Sequence, residues 1–544
     1  MCFMVCNETR WEPSMSNIQP GFRQSNAWLH TWSGIMVGWL LYLIFLLGAL
    51  SFFRTEINTW AQPELAQIET QTSSQAWQSA WAFLQQKAPN SPEWNIELPN
   101  ERNPAVNVRW FDEGERPSRR GGHRAILDPA TGEQLHPRET RLGDFLYRMH
   151  FELYGVPRHA ARWFIGIATM AMFIGLITGI IIHKKIFKDF FTFRQNKGQR
   201  SWLDMHNVSS VLALPFHLMI TFSGLLLLIF TLMPWGLQTA FNGDVGEYFE
   251  AMGGRGGKTI SETLTLPTTI MDASSRIEQI DVLMGIAETK WPRGVDSLQI
   301  NNSRRAMQIS LRQQGANSLL NRARGETLLF DINKSELSLI NSDPEIGFWR
   351  AFYNSFTALH LLHYADALSR WLFFLGGLLG TMMIGTGLLL WVEKRRQKAE
   401  KTGEWKRMFR LVQILNVGTI AGLPLAITFA FWANRLLPVE LAQRELWEIR
   451  IFFITWFASL VYSFIRSNRQ AWVEQLALLS GLLLLLPVFN LITLPRYSVL
   501  SMSFDAVLIV MGLLAASGCK SLVKHGKSSI LPVSRKNSLM RSMS

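Results

Sequence analysis

The chain has 544 residues, 48% of them hydrophobic, and a formal net charge of +13. Long apolar runs, each able to cross a ~30 Å hydrocarbon core that needs roughly 20 residues, exclude a purely soluble protein. The Lys and Arg cluster in short stretches beside those runs, which points to the lipid bilayer as partner and not to nucleic acid.

In chain order, a tail over 1–30 precedes the first apolar run. That run begins near Thr31 and is long enough to stay in the membrane, so no cleavable signal peptide is expected. We predict an α-helical integral membrane protein of about eight spans, at 31–53, 162–183, 207–234, 368–392, 411–433, 448–466, 471–494 and 503–519. Basic loops occupy 184–206 (Lys184, Lys185, Lys188, Arg194, Lys197, Arg200) and 393–410 (Lys394, Arg395, Arg396, Lys398, Lys401, Lys406, Arg407, Arg410). A basic tail runs from 520 to 544. The positive-inside rule puts all three in the cytoplasm, and an even number of spans puts the N-terminus there too. Two long polar segments, about 54–161 and 235–367, then fall on the outer side. The three cysteines, Cys2, Cys6 and Cys519, lie near the termini, so disulfides are not the staple of this fold. Cys2 and Cys6 read as part of a reduced tail before they read as a metal pair.

The first four spans contain an internal repeat. His30 is followed eighteen residues later by Gly48, and His206 by Gly224 at the same spacing. Arg162-Trp163 leads to Thr178-Gly179 as Arg370-Trp371 leads to Thr386-Gly387. Each outer segment reads as a helix followed by strands: 75–88, then 94–98, 105–111 and a run into the turn at 128–133. The second copy has 275–290, then 296–301, 306–312 and 327–337. Residues 31–183 and 207–392 are therefore two copies of one unit, span, outer α/β domain, span. They form a parallel tandem repeat about an axis along the membrane normal. Residues 411–519 lack the pattern and read as an appended four-span bundle.

Ionisable groups at membrane depth are costly and raise a functional expectation. His30 and His206 hold equivalent positions at the cytoplasmic ends of the two repeats. A pseudo-two-fold pair of imidazoles can face one object on the axis from both sides, and a haem iron with two axial histidines is such an object. His150 and His360 precede Arg162 and Arg370 by twelve and ten residues and form a candidate second pair near the outer surface. Two haems stacked through the membrane would carry electrons across it. Alternatives stay open. His217 lies eleven residues, or roughly 16 Å of helix, beyond His206 on nearly the same face and can replace an outer ligand. His183 can replace His30 or meet a propionate, and His363 is a second outer candidate. Arg162 and Arg370 suit haem propionates, an anionic ligand or lipid headgroups. The Gly34/Gly38, Gly175/Gly179 and Gly376/Gly380 pairs allow close helix approach, or room for a flat macrocycle. The bland reading of any one histidine is an interfacial side chain. No P-loop, dinucleotide-binding glycine fingerprint or HExxH is present, so electrons must come from a partner or the quinone pool.

Four stretches together resemble the PepSY-associated transmembrane proteins. They are LHTWSGIMVGW at 29–39, HKKIFKDFFTFRQNKGQRSWLDMHN at 183–207, LPFHLMITFSGL at 214–225 and RWLFFLGGLLGTMMIGTGLLLW at 370–391. The resemblance covers roughly residues 25–397, and the outer units look like PepSY domains. It implies the inner membrane of a Gram-negative bacterium, b-type haem at His30, His150, His206 and His360, and reduction of a ferric siderophore or other ferric chelate in the periplasm for iron acquisition. His183 and His217 match a longer subfamily. A quinol or a cytoplasmic reductase is the implied electron donor. Two other expectations stand beside it: a PepSY module that restrains a peptidase or senses a ligand, and a permease.

Overall fold

The computed structural model describes residues 21–68, 73–118, 121–183, 194, 198–252, 261–271, 273, 275–303, 306–315, 319–320, 322, 325–340, 347–402, 406–494 and 496–528. Cys2, Cys6, Pro495, most of the 184–197 loop and the tail beyond Ser528 lie outside them.

Among the described residues, seven helices are long and apolar enough to cross a membrane: Phe22–Ser51, Arg158–Ile182, Ala367–Arg396, Arg407–Leu436, Arg444–Ile465, Asn468–Thr493 and Val499–Lys524. The chain is thus a multi-pass membrane protein. The segment expected to form a straight span over 207–234 differs. It is a pair of helices, Gln199–Leu212 and Leu214–Leu227, bent by 70° at Ala213. Pro215 sits in the first turn of the second piece, where its missing N–H costs nothing, but it cannot continue the preceding helix. The bend also brings residues 199–206, expected in the basic loop, into a helix. The first helix starts at Phe22, so His30 lies two turns inside it.

The two outer segments are not separate. Their strands form one nine-stranded antiparallel sheet: β1 (Glu93–Glu97), β2 (Val106–Trp110), β3 (His123–Leu127), β4 (Gln134–Leu135), β5 (Ser261–Leu264), β6 (Val295–Ser303), β7 (Ala306–Gln313), β8 (Thr327–Asp331) and β9 (Glu336–Ile340). The order is β4-β3-β2-β1-β6-β7-β8-β9-β5. The first outer segment supplies one half, the second supplies the other, and β1 and β6 join them at Trp94↔Ile300, Asn95↔Gln299 and Ile96↔Leu298. Alternation puts Trp94, Ile96, Val106, Val108, Leu298, Ile300, Ile309 and Leu311 into one core. Helix Ser73–Lys87 covers that face with Trp77, Trp81 and Leu84, and helix Arg276–Lys290 with Ile280, Leu283 and Met284. Each of these side chains contributes ~1.5–3 kcal/mol when fully buried.

Between sheet and membrane helices sit two short amphipathic helices, Leu142–Phe151 and Phe348–Leu361, one in each half. The last four spans lean on the first half. Phe145 packs on Phe452 and Phe453, and Trp39 donates to Asn416 at 2.8 Å. Arg435 lies 3.8 Å over Trp60. Arg444 and Glu448, both fully buried, pair at 2.6 Å, and Glu448 also accepts from Asn434 and Thr140. The helix equivalent to Leu142–Phe151 has no such cover, for Phe348 and Trp349 are 71% and 65% exposed.

Candidate functional site

His30, from the first span, and His206, from the helix before the bend, face each other with ring centroids 6.3 Å apart and planes at 74°. His30 Nδ1 donates to the Gly175 carbonyl at 2.9 Å, with Thr178 Oγ1 at 3.3 Å. His206 Nδ1 donates to the Met383 carbonyl at 2.8 Å, with Thr386 Oγ1 at 3.5 Å. A carbonyl only accepts, so the proton is on Nδ1 and the Nε2 lone pair is free to bind a metal. Gly179 and Gly387 seat the rings: a Cβ there would lie 3.5 Å from His30 Cε1 and 3.2 Å from His206 Cε1.

A second facing pair stands at the sheet end. His150 and His360, from the two short amphipathic helices, have centroids 6.1 Å apart and planes at 33°. His150 Nδ1 donates to the Ile44 carbonyl at 2.7 Å. His360 Nδ1 meets Ser223 Oγ at 2.9 Å, and that hydroxyl in turn donates to Met219 and Ile220 carbonyls. Gly48 and Gly224 are the seats here: a Cβ would come within 2.7 Å of His150 and 3.3 Å of His360. All four glycines that mark the repeat in the sequence thus lie against the four histidines.

The spacing can be tested against a shared metal. A metal–imidazole bond of ~2.0–2.1 Å and ~1.1 Å from nitrogen to ring centre, counted on both sides, put the centroids about 6.3 Å apart. Both pairs meet that distance. Two imidazoles fill two positions of an octahedral iron, and among the described residues no cluster of three or more His, Cys, Asp or Glu is placed to hold a metal ion. A macrocycle brings the other four ligands itself. Space for one is present. A cavity of about 760 Å³ surrounds His30 and His206, lined by Gly34, Gly38, Gly175 and Gly179 and by the basic Arg23, Arg194, Lys394 and Arg395. Cofactor pockets run from ~300 to 1,000 Å³. Gly376 and Gly380 serve helix packing instead, against Phe216 and Phe45.

The other candidates fall elsewhere. His183 ends the second span and lines the same cavity. His217 belongs to neither pair. The 70° bend removes the shared helix face that linked it to His206, and its ring is buried against Phe45 and Phe216. His363 lies beside Arg54, Arg102 and Arg322, and burial followed by those cations lowers its imidazole below the ordinary histidine value. Arg370, a candidate for a propionate, another anion or a lipid headgroup, meets Glu56 at 2.6 Å. Arg162 meets Glu152 at 3.0 Å. Ser223 was missed by sequence reasoning. Its signal is its place directly before the repeat glycine Gly224.

Residues 27–394 match the family model described as the PepSY-associated TM region. The chain belongs to that family. The match spans both histidine pairs and the whole sheet, and it ends where the four-span extension begins. No curated protein matches this chain of the PepSY-associated family.

Proposed function

We propose that this protein moves electrons across the bacterial inner membrane through two haem b groups and reduces a ferric chelate, such as a ferric siderophore, on the sheet side. The observation that carries the reading is the geometry of the two histidine pairs. Each pair sets two imidazoles at the ring spacing that one shared metal would require, and each ring is oriented by a hydrogen bond at Nδ1 that leaves Nε2 for a metal.

His30 and His206 hold the group at the basic end, and His150 and His360 hold the other. Bound there, haem supplies a one-electron carrier with a potential set by its ligands, burial and hydrogen bonds. The glycine seats fix ring position, and the carbonyl and hydroxyl partners fix the tautomer. Arg23, Lys394 and Arg395 suit the propionates at the basic end. The basic loops support a cytoplasmic position for that end and a periplasmic one for the sheet, where the neighbourhood of Arg54, Arg102, Arg322 and His363 suits an anionic chelate. Reduction to Fe(II) weakens its hold by hard oxygen ligands. The donor is a quinol or a cytoplasmic reductase. A tandem repeat of the two halves about one axis accounts for each pair taking one histidine from each half.

A reduced-minus-oxidised optical spectrum of detergent-purified protein, with a haem-to-protein ratio, tests this. Sharp low-spin b-type bands at about two haems per chain support it. A flat spectrum from folded protein overturns it and favours a regulatory PepSY module.

A further inference from the structure

His217 is fully buried, and neither ring nitrogen has a hydrogen-bond partner among the described residues. The backbone of Ser210 and of Gly376 comes close to the ring, but neither carbonyl meets hydrogen-bond geometry. Thr221, one turn further along the same helix, is also buried with its hydroxyl unpartnered. Native proteins seldom leave such groups unmatched, and an unmatched one points to water, an ion or a redox role.

Its position narrows the choice. His217 precedes Gly224, the seat of His360, by seven residues, ~10 Å of helix. Gly380, whose Cβ would lie 3.2 Å from His217 Nε2, precedes Gly387, the seat of His206, by the same ~10 Å. The imidazole therefore stands midway between the two histidine pairs. Phe45 closes the space beside Gly380, which leaves no room there for a further macrocycle between the two pairs. The helix break at Ala213 supplies polar company. It leaves carbonyls of the preceding helix without regular donors, and that of Ser210 faces His217. Ser210 and Asn207 also line the cavity at the basic end, which gives a short polar route from water. Broken helices at mid-membrane serve proton and ion sites in this way.

Against the ring lie Phe45 from the first span, Gly376 and Gly380 from the fourth, and Phe216 from its own helix. None is charged. Tyr42, a titratable residue of the first span near this level, lies against Gly385 instead. An isolated buried cation is costly, so the ring stays neutral until negative charge arrives nearby.

We propose that His217 is a redox-linked proton site. It takes one proton from the basic end for one electron entering the bundle. It returns that proton by the same route when the electron leaves to the ferric substrate. This rests on the haem reading above.

The test is a spectroelectrochemical titration of the full-length protein across neutral pH, for wild type and His217→Gln, which stays polar but cannot titrate. In the wild type, one of the two potentials falls towards ~59 mV for each tenfold drop in proton concentration. In His217→Gln, with haem content unchanged, that slope is lost. Full haem with no slope in the wild type, an unchanged slope in the variant, or a variant that loses haem each overturns this inference alone. A wild type without haem overturns the reading above and this one with it. Should the variant fail to fold, the wild type still decides. A reduced-minus-oxidised infrared band of a histidine ring, moved by histidine isotope labelling, is expected, and its absence overturns the proposal.

Discussion

The two histidine pairs share a spacing and differ in how they are built. At the basic end both imidazoles come from helices within the bundle, both donate to carbonyls, and a large cavity surrounds them. At the sheet end the rings come from short helices wedged under the sheet. Only His150 reaches its carbonyl directly, because a serine hydroxyl stands between His360 and the equivalent carbonyl of Ile220. The rings are nearly perpendicular in one pair, at 74°, and closer to parallel in the other, at 33°. The two pairs thus share a ring spacing, while local packing sets the ring angle and the hydrogen-bond partners at each.

The strongest way to break this comparison is to remove one pair at a time. His206→Ala should lower the haem-to-protein ratio from about two to about one, and His360→Ala should do the same with the complementary spectrum retained. Loss of both haems in either variant would show that the sites are not independent. Next in size is the seat. Gly48→Ala puts a methyl 2.7 Å from His150, an overpacking of ~1–3 kcal/mol, and should empty the sheet-end site. Gly179→Ala, with 3.5 Å to His30, should leave haem content unchanged. Ser223→Ala removes the acceptor at His360 and should weaken haem retention at the sheet end alone. The loss should fall near the ~10-fold lower end for such outer partners, since the Ile220 carbonyl stands behind it. The smallest effect is spectroscopic. In the electron paramagnetic resonance spectrum, the basic-end site should give the more anisotropic low-spin signal. Equal signals would remove the angular distinction.

Much of this was legible in the sequence. The eighteen-residue interval from His30 to Gly48 and from His206 to Gly224 singled out residues that the fold does place at the two pairs, but not their partners: Gly48 lies against His150 and Gly224 against His360. The outer helices and most strands followed from periodicity. Two features did not. The bend at Ala213 is hidden because Pro215 suits a helix start as well as a helix break. The junction of β1 and β6 joins residues about 200 positions apart in the chain, and alternation fixes a strand's face but not its distant partner. The carboxylates opposite Arg162 and Arg370 were equally invisible, since Glu152 and Glu56 are brought there only by the fold.

The β1–β6 seam ties the two halves together outside the membrane. Alternating-access transporters rock one half against the other. Here such rocking would shear a five-residue antiparallel ladder and the tryptophan-rich core beneath it. A machine clamped in this way is poorly made for moving solutes through itself. It is well made for holding two fixed stations at a constant distance, which is the mechanical requirement of the electron path proposed above.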